Sequence, residues 1–283
     1  MMYNLPGHLP VDNKNDIILF DYNLSNQIDK HKVLLEKNLF TFLVEGHKQV
    51  HFFNTTVTIQ NNASLLMASG NCLVTEELTG TANYRCIMLF FSQQKMMQLL
   101  LKYPELTAKN SPKRQKNTNP YFLIEKDIFI QHFIQSLLPH FSMAAPLSQK
   151  ILELKLEEIV LYMAEKYGDK FNNFLPTMLQ VNQSQSLKET VEANTYSNLS
   201  VAQIAFLCNR SLSSFKRHFE KVYNQTPGNW FKQKRLTRAK ELLQSGTAKP
   251  SEIFASTGYK NLSHFSTAYK SRFGKSPKYT LIN

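Results

Sequence analysis

The chain has 283 residues, 42% hydrophobic and 19% charged, the proportions of a globular protein long enough for two domains. Its three cysteines, Cys72, Cys86 and Cys208, form no CxxC pair, which argues against a zinc cluster or a redox motif, and no apolar run approaches the roughly 20 residues of a membrane helix. The formal charge of +12 is lopsided: residues 184–283 hold 16 Lys/Arg and 5 Asp/Glu, whereas residues 1–183 hold 17 and 16. A basic region of this kind is the footprint of a polyanionic partner, or alternatively a solvated face that aids solubility.

Met1 to Asp16 is polar and lacks an apolar core of signal-peptide length, so the expected setting is a reducing cytoplasm, with no membrane partner. Residues 11–92 then read as β-rich. The runs Ile17–Tyr22, Val33–Val44, Gln49–Phe53, Val57–Gln60, Ser64–Ala68 and Tyr84–Phe91 are dense in Val, Ile, Leu and Phe and are separated by Asn, Gly, Lys and Ser. Such short, closely spaced strands predict a small barrel or sandwich. Phe52, Phe53, Tyr84, Phe90 and Phe91 could line a ligand cavity or simply fill the core, and no Lys or Arg stands out as a carboxylate clamp. His47 and His51 lie four apart near Glu45, so they share a strand face and could hold a metal or be exposed. A metal-binding barrel needs a second His and a carboxylate at fixed positions after a Gly-rich turn, and Gly70–Leu78 supplies no His and no such turn.

The period then changes. Gln93–Tyr103 reads as a helix, Ala108–Pro120 as a loop, and Glu125–His140 and Leu147–Tyr167 as two longer helices. The last carries two apolar stripes: Leu147, Ile151, Leu154 and Leu161 on one, and Leu152, Leu156, Ile159 and Met163 on the other. Two apolar faces need two partners, one being the β layer and the other either a second copy of the chain or more of the same subunit. Gly168–Asn173 and Gln180–Ser186 read as linker. The expected domains are 1–168, 169–183 as linker, and 184–283 as the basic domain.

The basic domain contains one pattern twice. Phe215, Phe219, Tyr223, Asn224, Thr226 and Pro227 recur fifty positions later as Phe265, Tyr269, Phe273, Gly274, Ser276 and Pro277. Each copy predicts a helix with an aromatic stripe, a left-handed stop, and Ser/Thr-Pro opening the next helix. The first unit is a helix over Val201–Cys208, with Ser200 and Gln203 spaced as a capping box, then a turn at Asn209 and Arg210, then a helix over Ser211–Tyr223. Ile204, Ala205, Leu207, Phe215 and Phe219 are its expected core. Ser213, Lys216 and Arg217 fall outward, where Arg and Lys can reach guanine edges. The second unit runs over Ser251–Ser256, a turn at Gly258, and Leu262–Phe273. Asn261, Ser263, His264 and Thr267 face outward, with Lys270 and Arg272 placed for phosphates. Pro227–Gln244 reads as one stiff helix spacing the two units. Arg210, Ser213, Lys216, Arg217, Asn261, Ser263, His264, Thr267 and Lys270 are thus the candidate contacts to double-stranded DNA.

This arrangement resembles the AraC/XylS family of bacterial transcription regulators, through Pro227, Trp230, Arg235, Leu236, Ala239, Leu242, Leu243, Ile253, Gly258, Tyr259, Ser263, Phe265, Gly274 and Pro277. The resemblance implies a seven-helix DNA-binding domain with two helix-turn-helix units, in which Ser213, Lys216, Arg217, Ser263 and Thr267 sit at base-reading positions. It further implies a cupin-like β-barrel with dimerisation helices in the N-terminal half, an α+β chain overall, a small-molecule or protein effector, RNA polymerase as a partner, activation as the commoner output, and no cofactor. Two positions depart from the pattern. Phe254 stands where a small Ala is usual, and Tyr279 comes one position early after Pro277 without the Arg that normally follows. The second unit could therefore be a base reader or a prop making mainly phosphate contacts. The alternative reading of the whole chain is a cupin-type metalloenzyme tethered to a DNA-binding module.

Overall fold

The computed structural model describes residues 2–60, 62–78, 83–108, 119–142, 148–179, 187–245 and 249–280. The chain divides into two compact units, Met1–Gln183 and Ser184–Asn283.

The first unit is built on strands β1 (Met2–Leu5), β2 (Ile17–Leu24), β3 (Ile28–Leu35), β4 (Asn38–Glu45), β5 (His47–His51), β6 (Thr56–Ile59), β7 (Ala63–Met67), β8 (Gly70–Glu77), β9 (Tyr84–Phe91) and β10 (Tyr121–Glu125). Its helices are α1 (Gln93–Lys102), α2 (Glu105–Ala108), α3 (Ile128–Leu137), α4 (Gln149–Tyr167) and α5 (Asp169–Asn172). The strands form two five-stranded sheets, ordered β1-β3-β8-β5-β6 and β10-β7-β4-β9-β2. These are two open sheets stacked face to face, the sandwich of the two forms the strand spacing allowed, which corrects the cupin-like barrel that the resemblance implied. Strand patterns specify faces but not partners, and pairing such as β1 alongside β3, parallel with Tyr3 opposite Val33, is a non-local choice.

The sheet centred on β4 is covered on both sides. Phe40, Phe42, Ile87, Leu89 and Phe91 pack with α1, α3 and α4, while Leu39, Leu43, Cys86, Met88 and Phe90 pack with Val33, Val50 and Val74 of the other sheet. Burial on two faces explains why β4 and β9 read as unbroken apolar runs. The run Val33–Val44 breaks into β3 and β4 at Glu36 and Lys37. Three strands escaped the sequence reading: β1 and β8 are short of aromatic and branched residues, and β10 sits where a helix was expected to begin at Glu125. That helix starts later, at Ile128, where the Asp127 carboxylate accepts from the Ile130 N–H at 2.9 Å.

In α4, Leu152, Leu156, Ile159 and Met163 are buried, whereas Ile151 and Leu154 on the other stripe are exposed. Leu147 lies outside the described residues, as do most of the expected loop at 108–120 and the linker stretch at 180–186. Phe171, Phe174, Leu175 and Met178, in the stretch read as linker, are buried in the core of the first unit. Gly168 ends α4 with φ +51, and α5 turns the chain back onto the sheet.

Phe52, Phe53, Tyr84, Phe90 and Phe91 are all buried as core. His47 and His51 do share a strand face. The His51 Nδ1 pairs with Thr56 Oγ1 at 3.0 Å, and burial, helped by the Lys30 charge, holds its imidazole down to about 4. Among the described residues no group of three His, Cys, Asp or Glu is placed to hold a metal, and no helix is long and apolar enough to cross a membrane.

The second unit contains α6 (Leu187–Ala193), α7 (Val201–Leu207), α8 (Leu212–Tyr223), α9 (Pro227–Gln244), α10 (Pro250–Ser256), α11 (Leu262–Phe273) and a closing 3-10 turn at Pro277–Thr280.

Candidate nucleic-acid interface

Helices α7 and α8 form the first helix-turn-helix. Ser200 Oγ accepts from the Gln203 N–H at 3.2 Å, and the Gln203 side chain accepts from the Ser200 N–H at 2.9 Å, completing the capping box. Asn209 takes φ +55 in the turn, and the Arg210 N–H reaches back to the Ala205 carbonyl at 3.0 Å. Ser211 caps α8 by accepting from the Ser214 N–H. Ile204, Ala205, Leu207, Phe215 and Phe219 are fully buried, as the stripe required.

The second unit repeats these contacts. Gly258 takes φ +82, and the Tyr259 N–H reaches the Phe254 carbonyl at 2.9 Å. The Asn261 carboxamide caps α11 by accepting from the His264 N–H at 2.8 Å. The aromatic ladders match: Phe215–Phe219–Tyr223 has centroid spacings of 5.6 and 4.5 Å, and Phe265–Tyr269–Phe273 has 5.7 and 4.6 Å. Each ladder ends on a left-handed residue, Asn224 at φ +51 and Gly274 at φ +75. From the left-handed residue of each turn to the first ladder aromatic is six positions in the first unit, Asn209 to Phe215, and seven in the second, Gly258 to Phe265. The second turn is therefore one residue longer. Phe254, the bulky departure noted above, is partly buried against the cluster of Leu236, Ala239, Leu243, Ile253, Phe265 and Tyr269, so the unit packs around it.

Ser213, Lys216 and Arg217 are exposed on one face of α8, at i, i+3 and i+4. Ser263, His264, Thr267 and Lys270 are exposed on the corresponding face of α11. Three candidates have local duties as well. Asn261 is a helix cap, Ser213 lies 3.2 Å from Ser211 Oγ, and Arg210 is half-buried in its turn with Nε shielded from solvent. Cys208, beside that turn, is buried, and desolvation pushes its thiol up to about 11, so it is not a reactive thiolate.

One organising residue was visible in the sequence only as part of a pattern. Arg235, on α9, donates from Nε to the Thr195 carbonyl at 2.8 Å, from Nη2 to Ser197 at 2.6 Å, and from Nη1 to Gly258 at 3.1 Å. It thus ties the loop after α6 to the turn of the second helix-turn-helix. Its side chain also lies over the Phe231 ring, 5.5 Å from the centroid.

Two family models match: the ExsA N-terminal regulatory domain over residues 38–174 and a helix-turn-helix domain over residues 204–281. The thermoregulatory protein LcrF of Yersinia pestis is 26% identical over 129 residues, 45% of this chain and 47% of that protein. The virulence regulon transcriptional activator VirF of Yersinia enterocolitica matches over the same shares, also at 26%. The chain thus spans about half the length of these curated relatives. Among solved structures, ToxT from Vibrio cholerae aligns over 96% of this chain and 98% of its own, with a TM-score of 0.43 and 13% identity. The DNA-binding domain of AdpA in complex with a target DNA aligns over 33% of this chain and 88% of its own, with a TM-score of 0.32 and 21% identity. With a regulatory-domain match in the first unit and a helix-turn-helix match in the second, the chain belongs to the AraC/XylS family of transcriptional regulators.

Proposed function

We propose that this chain is a sequence-specific transcriptional activator that inserts α8 and α11 into successive major grooves of double-stranded DNA, under the control of an effector sensed by its N-terminal unit. The observation that carries this reading is the duplicated helix-turn-helix with an exposed polar and cationic face on each second helix. Arg217 and Lys216 suit guanine edges, Ser213, Ser263, His264 and Thr267 suit mixed base contacts, and Lys270 and Arg272 suit phosphates. Grooves on one side of the duplex recur about every 34 Å, and α9 is the stiff spacer that this geometry needs.

The names of the Yersinia relatives, one of them a transcriptional activator, support activation and hence contact with RNA polymerase in the cytoplasm. The exposed Ile151 and Leu154 on α4 support a homodimer through that face. The domain limits proposed are an effector-binding part that runs past residue 168 to take in the buried Phe171, Phe174, Leu175 and Met178, and a DNA-binding part that begins near residue 184.

Titrating DNA binding with salt tests the electrostatic part. Six phosphate contacts give a log–log slope of about −5 at about −0.9 per contact. A slope near zero contradicts the nucleic-acid reading.

A further inference from the structure

Between the two sheets of the first unit lies a cavity of about 230 Å³. Its wall is largely aliphatic, with Val33, Leu39, Met67, Val74 and Met88 among its members. Two charged groups also line it. Lys48 on β5 and Glu76 on β8 stand directly opposite each other in register, and their Nζ and Oε1 are 2.9 Å apart. Both side chains are almost wholly removed from solvent, at 2% and 3% exposure.

Packing alone does not account for this pair. Taking two charges out of water is costly, and well-packed apolar residues of similar volume commonly serve a core as well or better. An ammonium has three donors and a carboxylate about four acceptor sites, so the bond between Lys48 and Glu76, together with the Tyr22 hydroxyl on Glu76, still leaves capacity on both groups at the cavity wall. Tyr22, another lining residue, lies beside Glu76. Burial and the Glu76 charge raise its phenol pKa, so its hydroxyl stays protonated. Tyr3, His8 and His31 also line the cavity, the Tyr3 and His31 rings stacked, so its polar wall offers donors and acceptors side by side, and the Lys48–Glu76 pair within it carries no net charge.

That chemistry selects the ligand. A carboxylate entering the cavity would compete with Glu76 for Lys48 and leave an excess negative charge out of water, and an amine would do the converse. A neutral hydroxyl can accept from Lys48 and donate to Glu76 without disturbing the pair. The volume sets the size: an apolar cavity of about 150 Å³ takes benzene, so about 230 Å³ suits a single substituted ring. We propose that this cavity binds a compact uncharged ligand, one ring in size, whose hydroxyl bridges Lys48 and Glu76. The proposal rests on the reading of the first unit as the sensing module and gives its effector a chemical class.

The test uses the full chain with methyl-labelled methionines and p-cresol as the probe, without DNA. Met67 and Met88 line the cavity, whereas Met96 and Met163 belong to the core between the other sheet face and the helices. The expected result is a saturable shift of the Met67 and Met88 methyl resonances with Met96 and Met163 unmoved. Binding of p-toluate or benzylamine is expected to be about tenfold weaker or more, since either brings an uncompensated charge. Val33→Phe, which fills the cavity, is expected to abolish the shift while the other methionine signals report an intact fold. Should that variant not fold, the wild-type methionine pattern still decides. Unmoved Met67 and Met88 at millimolar p-cresol, equal shifts at all four methionines, or p-toluate binding as tightly as p-cresol each overturn the proposal. DNA binding is measured separately, so a chain that binds DNA and ignores p-cresol sinks only this inference. A chain that binds p-cresol and no DNA sinks the regulator reading instead.

Discussion

The Arg235 guanidinium donates to the Gly258 carbonyl at 3.1 Å, and a Cβ added at Gly258 would lie 2.9 Å from Arg235 Nε, 2.7 Å from the Ser197 carbonyl and 2.8 Å from the Tyr196 carbonyl. The turn of the second helix-turn-helix is thus pressed against the loop after α6 and held there by one side chain.

Gly258→Ala is therefore expected to destabilise the second unit by more than about 2 kcal/mol, from the strained φ of +82 together with contacts to backbone that cannot move aside cheaply. Gly274→Ala is the control: its φ is +75, but nothing lies within 4 Å of the added Cβ. Its cost is expected to stay near 1 kcal/mol. Urea unfolding of both variants checks the difference, and equal costs would refute the close-approach argument.

Arg235→Lys retains the charge and loses the fork. A lysine cannot serve the carbonyls of Thr195, Ser197 and Gly258 together, so a loss of about 1–3 kcal/mol is expected. Because the residue holds the turn between α10 and α11, DNA affinity is expected to fall without any change at the proposed base-contacting faces. A variant as stable and as tight-binding as the parent would show that the three hydrogen bonds are dispensable.

His51 gives the first unit a pH dependence of known sign. Burial holds its folded pKa at about 4, below the ordinary 6.5, so the unfolded chain binds the proton more readily between these values. The resulting stability is complete above about pH 6.5 and is lost as pH falls towards 4. His51→Gln is expected to flatten the stability profile in that window, measured by denaturant midpoints at several pH values. An unchanged slope would remove His51 as its source.

Arg217 and Lys270 separate base reading from phosphate contact. Both are exposed, Arg217 on α8 beside Lys216 and Lys270 in the last turn of α11. Arg217→Ala is expected to cost about 1–3 kcal/mol on the preferred site and to relax preference at one base pair. Lys270→Ala is expected to weaken all sequences alike and to reduce the salt slope by about one. Uniform weakening by Arg217→Ala, with preference intact, would take Arg217 off the base-reading face.

The helical half of the fold was legible because its signals are local. The cap at Ser200, the aromatic ladders and the left-handed stops at Asn224 and Gly274 are each written within a few residues. The β half was legible as strands but not as sheets. A parallel pairing of β1 with β3, or a core strand β8 that includes Gly70, Asn71 and Thr75, follows from contacts far apart in sequence. The Lys48–Glu76 pair was hidden for the same reason: alternation in β5 and β8 shows that each residue shares a face with apolar neighbours, but only the register joins them. Arg235 was visible as a pattern residue, while its three carbonyl partners lie 40, 38 and 23 positions away.

Selection of bound sites by the full chain from randomised duplex DNA tests the central claim most directly. If α8 and α11 read successive major grooves, the enriched sequences contain two short conserved blocks whose centres lie about 10–10.5 base pairs apart, one block losing definition in Arg217→Ala. Recovery of no enriched sequence, or of a single block indifferent to Arg217, would contradict the paired-reader account.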